Sequence, residues 1–176
     1  TRHQCCTEII HQGEECIAAY ATESCYVFFS VISWIHMFQV PSTESEWNAI
    51  ADHFGMIWNF PRCCGAIDGK HITIKQPPGS GTMFYNFKGY YSIVLFAMVD
   101  ADYNFIYIDI GANGSSNDSQ IFNNSPLAHA LEHDTLNMPQ DHVVVGDSAL
   151  TLKKYLMKPY GSRGRTAKRT IFNYRL

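Results

Sequence analysis

Gly65-Ala66-Ile67-Asp68-Gly69-Lys70-His71 and, far downstream, His142-Val143-Val144-Val145-Gly146-Asp147 decide the fold. Each is an apolar run that halts on an aspartate beside a glycine. A buried strand that stops on a carboxylate presents it at the rim of a sheet, and two such rims side by side can hold a divalent cation. The glycines leave room for an ion or a phosphate to approach. Alone, each aspartate reads more readily as a strand-end turn former than as a ligand. The pair favours a site.

Working outward, residues 66–74 read as a strand alternating in Ile72 and Ile74. Residues 77–81 are a Pro/Gly turn, and residues 91–99 form a continuous apolar run of central-strand type. A tight connection at 101–104 makes residues 105–110 an antiparallel neighbour. Ile106, Ile108 and Ile110 are expected on one face, with Tyr107 and Asp109 on the other. A polar loop, 111–118, leads to a helical segment near 118–133 that is interrupted at Asn124-Ser125-Pro126. A short buried strand at 143–145 follows. Leu150, Leu152, Tyr155 and Leu156 fit a short helix or an irregular segment, which Pro159 stops, and 161–165 reads as a mobile loop. Upstream, Thr43 and Glu46 form a capping box ahead of an amphipathic helix over 44–58.

Three strands in a meander, then a helix, then a strand is the ribonuclease H-like order. Right-handed crossovers place the last strand parallel beside the first. The expected class is α/β, a ribonuclease H-like mixed sheet flanked by helices, with Asp68 and Asp147 on adjacent strands.

Composition agrees with one folded unit. Of 176 residues, 46% are hydrophobic and only 16% charged, which argues against disorder over most of the length. The apolar stretch 26–38 is too short to span a bilayer and reads as a buried helix or strand, so no membrane role is expected. The first residues lead into no signal-peptide-like apolar run, and without an initial Met the sequence is expected to be a piece of a longer one. The six cysteines, at 5, 6, 16, 25, 63 and 64, lack zinc-ligand spacing and read as buried or free thiols. Net charge is −3, yet eight of the thirteen Lys and Arg fall after Ser148, where no Asp or Glu occurs. A basic tail beside an acidic site suits a polyanion, although a solvated tail explains it equally well.

Carboxylates suit Mg²⁺ or Mn²⁺, hard ions that prefer oxygen. Asp68 and Asp147 are the first candidates. Asp118, at a helix start, is favoured as an N-cap or a supporting group, with metal ligation as the second reading. Asp109 is a weaker candidate. His71 can contact phosphate, but more readily reads as a partly buried strand histidine. Lys153, Lys154, Arg163, Arg165, Lys168 and Arg169 are the candidates for phosphate contact. No G-x-S-x-G elbow, H-E-x-x-H helix or Walker lysine loop is present.

Several ordered motifs resemble the Harbinger (PIF) transposase-derived nucleases: Trp58-Asn59-Phe60-Pro61, residues 65–71, Tyr85-Asn86-Phe87-Lys88-Gly89, residues 91–95, Asp118-Ser119-x-Ile121-Phe122, Val145-Gly146-Asp147 and Phe172-Asn173-Tyr174-Arg175-Leu176. The resemblance covers residues 41–176, leaving 1–40 as a poorly matched segment. It implies a DDE endonuclease domain that binds divalent metal and cuts DNA by attack of water or a 3′-hydroxyl on phosphorus. The first catalytic aspartate maps onto Asp68 and the second onto Asp147, with Asp118, the aspartate of the loop motif, as the alternative for that second position and carried as a candidate ligand. The third acid, a glutamate, is implied on a helix after Leu176, so the domain is expected to be incomplete at its C-terminus and the chain a poor catalyst. A Myb-like DNA-binding partner and a nuclear location, with the cytoplasm as a second compartment, are also implied. The rivals are a catalytically inactive, domesticated scaffold that binds DNA or protein, and a hydrolase of other phosphoesters.

Overall fold

A computed structural model describes residues 40–163 and 166–176. The readings made on residues 1–39, including four of the cysteines and the apolar stretch 26–38, lie outside the described residues, as does Arg165.

Helix α1, Glu44–Trp58, starts at the expected capping box: Glu46 N donates to Thr43 Oγ1 at 3.4 Å, and Thr43 N donates back to Glu46 Oε2 at 3.1 Å. It ends at Asn59, which takes the left-handed conformation (φ 53°) that asparagine tolerates. Strands β1 (Cys63–Thr73), β2 (Ser92–Val99) and β3 (Phe105–Asn113) form the meander. Helices α2 (Asp118–Asn124) and α3 (Pro126–Glu132) follow, split by Ser125, whose hydroxyl caps α3 through Ala128 N. Then come β4 (Val143–Gly146), β5 (Leu156–Met157) and α4 (Ala167–Arg175).

The sheet order is β3-β2-β1-β4-β5, with the meander antiparallel and β1, β4 and β5 mutually parallel. This is the α/β, ribonuclease H-like mixed sheet that the pattern of apolar runs predicts. Every residue of β2 is buried, as a central strand requires.

Two apolar clusters cover the sheet. Ile121 and Phe122 of α2 and Leu127 and Leu131 of α3 pack with Ile67, Val94, Phe96 and Met98. Phe54 of α1 packs with Cys63, Ala66, Val99 and Val145, and Leu176 joins their edge. Trp47 belongs to the first cluster, so α1 serves both; its indole N–H donates to Leu136 O at 2.8 Å, which meets the need of a buried ring nitrogen. Cys63 and Cys64 are buried, and burial, aided by Asp141, pushes the Cys64 thiol up to about 12. Neither is a ready nucleophile.

Two expectations need correction. Ile106 does not share a face with Ile108 and Ile110. A bulge pairs Met98 with Tyr107 but Val99 with Phe105, which leaves Ile106 as the extra residue and turns it into the first cluster, against which Tyr107 also packs. A second bulge falls at Gly111, whose φ of 112° suits glycine alone. The segment read as a short helix or irregular run ends in strand β5, parallel to β4, with Val144 opposite Leu156.

Candidate metal centre

The parallel pairing of β1 with β4 sets Ile67 opposite Gly146. Asp68 and Asp147 each come one residue later, so the two carboxylates lie on neighbouring backbones just past the last β1–β4 pair. Asp68 remains within β1, opposite Ala97 of β2, while Asp147 begins the loop after β4.

Asp118 joins them. The structure corrects its reading as a helix cap: the cap of α2 is Asn117, whose side chain accepts from Gln120 N at 2.8 Å, with Gln120 reaching back to Asn117 N. Asp118 is the first helical residue, and its carboxylate lies over Gly69. A side chain on Gly69 would collide with it. Oxygens of Asp68, Asp118 and Asp147 all lie within 4.8 Å of one another, and all three residues are partly buried. Asp109 is outside this group; Tyr107 reaches its Oδ2 at 3.5 Å.

The backbone aims two of the three carboxylates. Asp68 Oδ1 accepts from Gly69 N at 2.8 Å, and Asp147 Oδ1 accepts from Ala149 N at 2.9 Å. The loop that carries Asp147 is tied down by Lys158, whose ammonium donates to the carbonyls of Ser148 and Leu150. Burial, with the adjoining charges of Asp147 and Asp118, pushes the Asp68 carboxyl up to about 6 against the pull of its Gly69 N–H. Burial and Asp147 likewise raise Asp118 to about 6. Like charges crowded into a partly desolvated space are costly without a cation.

This donor set fits a hard divalent ion. All donors are carboxylate oxygens, and ions of this kind take oxygen at about 2.0–2.6 Å, so one ion spans roughly 4–5 Å between opposed ligands. The missing Cβ of Gly69 provides the space that lets the third carboxylate close on the other two.

The Lys88 ammonium opposes the acids, lowering both Asp68 and Asp118. Reasoning from the sequence missed it as a site residue. It arrives on the long connection between β1 and β2, where no periodicity gives its position away. His71 Nδ1 lies 2.9 Å from Ser92 Oγ, and burial and Lys88 lower its pKa.

Lys153 pairs with Glu132 Oε2 at 2.9 Å, and Lys154 and Arg163 are exposed. Arg169 lies over the Tyr160 ring at 5.0 Å. Lys168 lines a groove with Arg62 and Val143, where β4 begins, whereas Asp147 follows the end of β4. Among the described residues, no helix is long and apolar enough to cross a membrane.

Comparison with known proteins agrees with this geometry. A family described as DDE superfamily endonuclease matches residues 67–176. "Protein ALP1-like" of Arabidopsis thaliana is 32% identical over 153 residues, covering 80% of this chain and 37% of that protein. "Putative nuclease HARBI1" of Rattus norvegicus is 27% identical over 119 residues, covering 68% of this chain and 33% of that protein; its Mus musculus counterpart is 26% identical over the same shares. The chain thus spans about a third of the length of the curated relatives it matches. No solved structure matches. With the matched region running from the strand that bears Asp68 to the end of α4, the chain belongs to the DDE superfamily endonuclease family.

Proposed function

We propose that this chain is the core of a divalent-metal-dependent DNA endonuclease of the Harbinger transposase-derived type. The observation that carries the reading is the convergence of Asp68, Asp118 and Asp147 from three separate elements onto one point. Structural carboxylates acquire cationic partners, whereas these three face one another, and among the described residues Lys88 is the cation that lowers two of them.

Mg²⁺ or Mn²⁺ held by these aspartates would supply charge stabilisation at a phosphoryl group and activation of the attacking oxygen. The chain's own part is positional. Gly69 N and Ala149 N fix the carboxylates of Asp68 and Asp147. Lys158 fixes the loop after β4, and Lys88 brings positive charge to the rim where a phosphate would enter. Lys153, Lys154, Arg163, Arg165, Lys168 and Arg169 would meet backbone phosphates flanking the scissile bond, with Lys153 first releasing Glu132.

The domain is proposed to begin at residue 41, because Trp47 and Phe54 of α1 are integral to the core. DNA as substrate, a Myb-like DNA-binding partner and a nuclear location, with the cytoplasm second, complete the proposal.

Plasmid nicking in Mg²⁺ or Mn²⁺ tests it. Cleavage is expected with metal and lost with chelator, and the Asp68→Asn, Asp118→Asn and Asp147→Asn variants should each fall at least a hundredfold. Because the chain spans a third of its relatives, the assay includes a version extended past Leu176. Variants that cut as well as the parent overturn the assignment.

A further inference from the structure

Residues 82–91, between β1 and β2, hold aromatic side chains out in solvent on a rigid base. Phe87 is 85% exposed and Met83 52%. A loop that waved these groups freely would need no internal structure, but this one is built around a buried asparagine. Asn86 is 2% exposed. Its Nδ2 donates to Ser92 Oγ at 2.8 Å, and its Oδ1 accepts from Lys88 N at 3.0 Å and Tyr90 N at 3.3 Å. Backbone bonds from Asn86 N to Tyr90 O and from Gly89 N to Asn86 O close the turn, and Ser92 N donates to Phe84 O. Ser92 Oγ, at the start of β2, also meets His71 Nδ1, so the loop is linked to β1 through Ser92.

The exposed ring therefore has a fixed address. Phe87 stands edge-on to His71, centroids 5.6 Å apart, and the Lys88 ammonium lies 5.6 Å from the Phe87 centroid. His71 is three residues along β1 from Asp68, a distance of roughly 10 Å at strand rise. Lys88 is close enough to bias Asp68, Asp118, Lys70 and His71 together. A fixed, solvated aromatic ring with a cation over it, on the same strand rim as the acid group and roughly 10 Å along it, matches what unpaired nucleotides require: a surface for the base to stack on and positive charge for the phosphate.

Resting on the DNA-cleavage reading above, we infer that the 82–91 loop is a stacking platform. Phe87 receives the base of an unpaired nucleotide beside the scissile bond, and Lys88 contacts its phosphate. The absence of acidic residues between Gly69 and Val99 agrees with a polyanionic occupant.

The test separates binding from cleavage. Fluorescence anisotropy of the 176-residue chain, in chelator, compares a blunt duplex with the same duplex carrying a short single-stranded overhang. The parent should bind the overhang substrate more tightly. Phe87→Ala should weaken that binding about tenfold and leave the blunt duplex nearly unchanged, while Phe87→Trp should retain it. Lys88→Gln should lower the salt slope for the overhang substrate by about one. Because Phe87 is exposed, circular dichroism of Phe87→Ala should match the parent. Equal affinity for the two substrates, or equal effects of Phe87→Ala on both, overturns the platform. A failure of the aspartate variants to alter nicking overturns the nuclease reading instead, and is seen in a different assay.

Discussion

The Asp118 carboxylate occupies the space that a side chain on Gly69 would fill. A residue on a strand thus controls whether a residue on a helix can reach the acid group. Gly69→Ala should force Asp118 outward while leaving β1 paired, since φ at this position lies outside the left-handed region. Mn²⁺ affinity measured by isothermal titration is expected to fall at least tenfold, with an unchanged circular dichroism spectrum. Unaltered affinity would remove Asp118 from the ligand set.

Asp68 and Asp118, both raised to about 6, make the metal-free protein sensitive to pH. Unfolded aspartates titrate near about 3.9, so between these values the folded state binds more protons. The stability contributed by these groups is full below about pH 4 and is lost as pH rises through about 6. Melting temperatures in chelator should show this loss. Exposed Glu46 and Asp141 are shifted the other way, so the informative quantity is the difference between variant and parent. Asp118→Asn should become more stable relative to the parent as pH rises from about 4.5 to about 7. A constant difference would contradict the crowding of charges.

Lys158 should matter for position more than for charge. Replacing it with Met leaves the carbonyls of Ser148 and Leu150 without their donor. Urea denaturation is expected to show a loss of about 1–3 kcal/mol. A loss below about 0.5 kcal/mol in Lys158→Met would mean that Lys158 does not hold the loop.

Asn86→Ala should be among the more damaging single polar changes in the β1–β2 connection. It strips Ser92 Oγ and two backbone N–H groups of a buried partner, a cost of about 1–3 kcal/mol by urea denaturation. Loss below about 0.5 kcal/mol would mean the loop is not built on this side chain.

The frame of the fold was legible because long apolar runs and short connections leave few arrangements. Residues 92–99 can only be a central strand, and the five-residue link to Phe105 forces an antiparallel partner. What escaped has local physical causes. Strand β5 is two residues long and follows β4 after residues 147–155, shorter than a parallel crossover usually needs. Ile106 was misplaced because a bulge breaks a period of two without any mark in the composition. Asp118 was read as a cap because Asn117 and Asp118 are both good capping residues; the signal that separates them is Gln120, three residues after Asn117, which completes a capping box. Gly69 beside Asp68 was visible as a space, but what fills it depends on tertiary packing.

The most direct measurement is the anomalous signal from a Mn²⁺-soaked crystal of this chain. The account predicts Mn²⁺ density in contact with Asp68, Asp118 and Asp147 together, displaced by excess Mg²⁺. Density at other residues, or carboxylates that turn away from one another to bind separate surroundings, would contradict it.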